Sequence, residues 1–180
     1  MVRSFTVSVF TESQVGVLNR LVDTLSRRRL PVDSLTSCEC EVPGVYRHTI
    51  VLAATDDQVR KVVKQIEKNV DVLKAFYHAE DETVHQEIAL YKLPIRALLG
   101  GDGLETIVRS FQARILALDP DYVVIEKTGH ENETRELLDR LEPFGAMEFA
   151  RSGRVAITKP TRTLLSYLDK SNETRKGEEN

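Results

Sequence analysis

The chain has 180 residues, 41% hydrophobic and 29% charged, with a net charge of −3. That length admits one domain or two small ones, and the mildly acidic balance removes the electrostatic case for nucleic acid or an anionic membrane. No apolar run approaches the ~20 residues that span a bilayer, and "MVRSFTVSVF" has neither the long apolar core nor the small-residue cleavage site of a signal peptide.

In chain order, Phe5–Phe10 alternates like a strand. Val15–Arg29 then has a helical period, with Leu18, Leu21, Val22 and Leu25 as its apolar face and Pro31 blocking its continuation. "VDSLTSCECEV" and "RHTIVLAA" read as strands around a Pro-Gly turn. Thr55 or Asp56 can cap a second helix whose face is Val59, Val62, Val63 and Ile66, and "VDVLKAFYH" closes the unit as a strand. The order is βαββαβ.

After the acidic linker "AEDET" the order starts again. "VHQEIALYKLPI" is a long strand, and "GGDGLETIVRSF" turns into a helix with Asp102 as its cap and Leu104, Ile107, Val108 and Phe111 inward. "ARILAL", the turn "DPD" and "YVVIEKTG" form a hairpin. "NETRELLDRLE" is a helix, followed by "AMEFARSG" and "RVAITK". The expected fold is α+β: two tandem ferredoxin-like βαββαβ domains at 1–79 and 80–160, each with two helices on one face of an antiparallel sheet. Residues 161–180 read as a polar, disordered tail. "HTIVLAA" is more apolar than a half-solvated strand requires, which argues for burial against a neighbour or a second subunit.

Catalytic signatures are missing: no G-x-S-x-G, H-E-x-x-H, P-loop or paired C-x-x-C occurs. His78 and His85 flank the acidic linker and offer a metal site with Asp81 or Glu82, but a solvated linker is the favoured reading, so no metal is expected. Cys38 and Cys40 alternate on one strand, a poor geometry for a bridge, and Cys38 is expected to be a half-buried thiol in a reduced, cytoplasmic protein. The "SRRRL" cluster complements a helix C-terminus, leaving an acidic partner surface as a second use. No strand carries the aromatic pair of an RNA-binding βαββαβ module.

Gly16 poses a question, because alanine would hold a first helical turn better by roughly 1 kcal/mol. Either the missing Cβ lets a ligand approach the free amides at the helix start, or it lets the helix pack tightly on the neighbouring strand. The surrounding "TESQVGVLNRLVDTLSRRRLPVDSLT" resembles the opening of the ACT-domain regulatory (small) subunits of acetolactate synthase. Glu12, Gly16, Val17, Leu18, Arg20, Ser26, Arg28 and the run Val32–Thr36 stand on that family's motif positions. "QIEKNVDVLK", "QEIALYKL", "FQARILALDPDYVVIEKTG" and "FARSGRVAITK" resemble its later segments in order, so the likeness spans residues 3–160.

The resemblance implies a subunit with no catalytic residue or cofactor of its own, since thiamine diphosphate, Mg and FAD belong to the large subunit. It implies a homodimer through ACT domains, activation of the large subunit, and feedback control by a branched-chain amino acid, usually valine. The effector residues carried over are Ser13, Gly16, Val17 and Leu18 of one chain with Pro31 and Val32 of the other. Two departures stand out: Ser13 and Pro31 occupy positions where the family has asparagine, and Arg29 replaces a glycine. Losing two polar contacts of about 1 kcal/mol each weakens binding roughly tenfold to thirtyfold, unless Arg29 compensates by pairing with the carboxylate. The competing readings are a free-standing ACT-type amino-acid sensor and a small acylphosphatase-like enzyme; the second needs a loop arginine that "TESQVG" lacks.

Overall fold

The structure, a computed structural model, describes residues 1–101 and 103–159. Its contacts divide it into two units, Met1–Val84 with the segment that starts at Ala156, and His85–Val155.

In the first unit, β1 (Arg3–Glu12), α1 (Val17–Arg27), β2 (Val32–Glu39), β3 (Val45–Ala54), α2 (Asp56–Ile66) and β4 (Val72–Ala79) follow the expected order. The strands form an antiparallel sheet, β2-β3-β1-β4. Alternation directs Phe5, Val7 and Val9 of β1 to the helix face, where they pair in register with Leu52, Ile50 and His48 of β3. The apolar members of that face share one core with Val17, Leu21 and Leu25 of α1 and Val59, Val62, Val63 and Ile66 of α2. Each such fully buried side chain stabilises the unit by roughly 1.5–3 kcal/mol. Thr6, Ser8 and Thr49 on the opposite sheet face are buried as well. There Arg47 donates to Ser8 Oγ (3.3 Å) and to the Ala156 carbonyl (2.6 Å).

Helix α1 is shorter than its periodicity predicts. It begins at Val17, and Gly16 is its N-cap with φ +85°, a left-handed conformation that a Cβ disfavours. It ends in a Schellman motif: Arg29 N–H donates to the Ser26 carbonyl (2.9 Å) and Leu30 N–H to the Leu25 carbonyl (3.2 Å), with Arg29 at φ +53°. The buried face is Val17, Leu21, Thr24 and Leu25. Leu18 and Val22, expected in the core, are instead 40% and 43% exposed.

The expected linker is a single 3-10 turn, Glu80–Glu82. Then come β5 (Thr83–Pro94), α3 (Arg96–Leu99), α4 (Leu104–Ser110), β6 (Arg114–Leu118), β7 (Tyr122–Gly129), α5 (Glu131–Leu141), β8 (Glu148–Arg151) and β9 (Val155–Thr158). The boundary between the units falls inside β5 and again inside β9. The sheet order β6-β7-β5-β8 reproduces the first unit's order strand for strand, and β9 adds to β5. The "DPD" turn closes the β6–β7 hairpin through Asp119 N–H to the Tyr122 carbonyl (2.9 Å). The repeat extends to backbone conformation. Gly103 caps α4 at φ +87°, and Gln112 at φ +53° ends it in the same Schellman pattern as Arg29. Helix α4 has seven residues to the eleven of α1, one turn fewer. Helix α3 has no counterpart in the sequence reading. Asp102, the expected cap, and the tail expected to be disordered lie outside the described residues.

Candidate functional site

Residue pairing along the first sheet leads from the core to a polar end. Beyond Val7–Ile50 comes Val9–His48, with Ser37 of β2 opposite His48, and then Thr11–Tyr46. Because α1 starts only at Val17, this end of the helix face stays open as a cleft of about 170 Å³. Ser13, Gly16, Val17 and Leu18 form its rim, and Thr11, Ser37, Tyr46 and His48 its floor. Two backbone bonds anchor the loop that carries the rim, Glu12 N–H to the Asp71 carbonyl (3.0 Å) and Ser13 N–H to the Gly44 carbonyl (3.1 Å). An Arg20–Asp71 ion pair ties the first turn of α1 to the same place.

The helix tip that opens on this cleft is unlike those of α2 and α5. In α2, Thr55 Oγ1 accepts from Gln58 N–H (3.3 Å), and Asp56 and Asp57 sit in the first turn. In α5, Glu131 and Glu133 occupy the first turn, and the Glu133 carboxylate accepts from His130 N–H (2.6 Å). Helix α1 has no side-chain cap and no acid in its first turn. Its spare N–H donors and positive dipole end therefore remain available to an anion.

The carried-over residues fall into two groups. Ser13, Gly16, Val17 and Leu18 are brought together at the cleft. Pro31 and Val32 do not line it; they lie exposed at the start of β2. Arg29 shares that end, a helix length of roughly 16 Å from the tip, so it cannot reach the cleft of its own chain. The sequence reading missed the floor. Its signal was there: alternation in "RHTIVLAA" puts His48 in phase with Ile50 and Leu52. His48 is 3% exposed, its Nε2 lies 3.0 Å from Thr11 Oγ1, and burial pushes its pKa below the ordinary histidine value.

Elsewhere, His78 Nδ1 lies 3.9 Å from the Glu82 carboxylate, while the His85 ring packs edge-on against His130 at 4.8 Å. No group of three or more potential metal ligands occurs among the described residues. Cys38 is exposed rather than half-buried, because β2 is an edge strand. In "SRRRL", Arg28 donates to Gln65 on α2 (2.6 Å). The second unit has an apolar cleft of about 200 Å³ between α4 and β6, lined by Leu104, Val108 and Ile115. No described helix is long and apolar enough to cross a membrane.

Two family models match the chain. One, described as the AHAS small subunit-like ACT domain, covers residues 7–74 and thus the whole cleft; the other, described as the small subunit of acetolactate synthase, covers residues 86–160. The acetolactate synthase small subunit of Mycobacterium bovis is 32% identical over 160 residues, 89% of this chain and 95% of its own. The chain belongs to the acetolactate synthase small-subunit family. Its Bacillus subtilis relative is 31% identical, over 92% of this chain and 95% of its own. The crystal structure of the small subunit from Thermotoga maritima superposes with a TM-score of 0.80 at 25% identity, covering 89% of this chain and 99% of that one. The tandem ACT-type fold and the small-subunit assignment read from the motifs therefore hold.

Proposed function

We propose that this regulatory small subunit activates the catalytic large subunit of acetolactate synthase and makes it responsive to a branched-chain amino acid of the valine type. The observation that carries the reading is the bare tip of α1: an anion-receptive helix start with Val17 and Leu18 beside it, inside the ACT match. A carboxylate takes the free amides, and an aliphatic side chain takes the apolar wall. The cleft is smaller than the usual ~300 Å³ of a complete ligand pocket, which fits a site finished by a second copy of the chain. Pro31 and Val32 of that copy would supply the missing wall, and its Arg29 the cation. Thiamine diphosphate, Mg and FAD belong, on this reading, to the catalytic partner, and the complex works in the cytoplasm.

With Ser13 in the rim and Pro31 on the wall supplied by the second copy, valine binds roughly tenfold to thirtyfold more weakly than it would with asparagine at both. Titration calorimetry with valine, leucine and isoleucine measures this directly, and micromolar valine affinity contradicts the weakened site. The decisive experiment mixes the purified chain with its large subunit and follows acetolactate formation with and without each amino acid. Activation plus an amino-acid response is expected. An unchanged rate and an unchanged response would leave a free-standing amino-acid sensor as the better reading.

A further inference from the structure

We propose that His48 belongs to the amino-acid site and hydrogen-bonds the polar head group of the bound effector. This deepens the effector reading above and rests on it. His48 sits in the cleft floor, 3% exposed, with Nε2 held 3.0 Å from Thr11 Oγ1. Its Nδ1 is buried and has no hydrogen-bond partner, the one such side-chain nitrogen or oxygen among the cleft's residues. Leaving a polar atom buried and unpaired forfeits its hydration with nothing in return. Packing does not require that sacrifice, since Ile50 and Leu52 fill the equivalent places along the same strand.

An effector seated in the cleft would supply the missing partner. The uncapped tip of α1 and His48 both line this one small cleft, from the helix side and the sheet side. Burial lowers the ring's pKa and so favours the neutral form, in which one nitrogen carries the proton. If the Thr11 hydroxyl donates to Nε2, Nδ1–H donates to a carboxylate. If Nε2–H donates to Thr11, Nδ1 accepts from an ammonium. An α-amino acid carries both groups, so either tautomer finds its complement.

Two substitutions separate this role from packing. In His48→Gln the longer side chain keeps an amide near the Nε2 position for Thr11 but loses the Nδ1 group. In His48→Asn the amide falls near the Nδ1 position. Titration calorimetry of the full chain with valine, leucine and isoleucine is expected to show about tenfold weaker binding for H48Q and less than threefold loss for H48N. Imidazole nitrogen NMR of the unsubstituted protein should show the His48 Nδ1 signal moving on addition of whichever amino acid binds. Unchanged affinity in H48Q, or a static Nδ1 signal at saturation, removes His48 from the site while leaving the effector reading intact. Absence of binding by all three amino acids to the unsubstituted protein overturns the effector reading and this inference together.

Discussion

Left-handed residues bracket α1, and their side chains make opposite demands. Gly16 at φ +85° is suited to its conformation, whereas Arg29 at φ +53° holds a Cβ where L residues are disfavoured by roughly 1–2 kcal/mol. Replacing Arg29 by glycine relieves that strain but adds about 0.5–1 kcal/mol of unfolded-state entropy. Arg29→Gly should therefore raise stability by about 0.5–1 kcal/mol, and Arg29→Val, with a branched Cβ, should lower it by more than 1 kcal/mol. Denaturant unfolding checks both, and a destabilised Arg29→Gly would show that the arginine side chain matters more than its backbone. Gly16→Ala should lose about 1 kcal/mol from φ alone, because its Cβ meets only the flexible Arg20 guanidinium at 3.4 Å. The sequence flagged Gly16 as misplaced in a helix, yet not its reason, since φ depends on where the helix begins. His48 was equally visible and equally unread: a histidine in a strand signals nothing until register places it under a helix tip.

At the scale of the element, the helices divide by their first turns. Thr55 was legible as a cap because hydroxyl, acidic pair and apolar run adjoin in sequence, and the reciprocal Thr55–Gln58 bonds confirm it. Helix α1 was legible as a helix but not in its facing. Its residues offer two apolar stripes, Val17–Leu21–Leu25 and Leu18–Val22, and hydrophobicity alone cannot say which one meets its own sheet. The bare tip makes a prediction with two signs. Asn19 is the third residue of α1, where an acid would complement the dipole, so Asn19→Asp should stabilise the protein by about 0.3–1 kcal/mol. The same charge repels the carboxylate of an incoming effector, so valine affinity should fall. Thermal unfolding and calorimetry on one sample test the pair; higher affinity would place the carboxylate elsewhere. Thr55→Ala, at a tip with no proposed ligand, should lose about 1 kcal/mol and leave affinity unchanged.

The whole molecule repeats one unit, and that was its most legible property, since periodicity, turns and strand order recur with the same spacing logic. In the second unit a hydrogen bond from Thr128 and the Arg114 guanidinium hold Glu126 below the ordinary carboxylate range, and Arg151 does the same for Glu131. A carboxyl whose folded pKa is depressed stabilises the fold above its ordinary pKa and loses that contribution as pH falls through the folded value. Acid should thus weaken this unit below about pH 4.5, and Arg114→Ala should move the acid-unfolding midpoint upward; a midpoint that stays put would mean the pair is spent on solvent. What the folded chain leaves uncovered bears on the proposed second copy. Leu18 and Val22 stand one turn apart on α1, both more than a third exposed, and Val32 at the start of β2 is 38% exposed. In a dimer formed there, a carboxylate at Val22 would be buried without a partner at several kcal/mol, whereas in a monomer it would simply be hydrated. Val22→Asp should therefore shift the protein to monomers in sedimentation velocity with little change in the unfolding of the monomer itself. Valine binding should fall with it, because the cleft loses the wall that the other copy provides. A Val22→Asp protein that sediments as a dimer and still binds valine would mean that this face of α1 is ordinary surface and that the effector site is completed by something else.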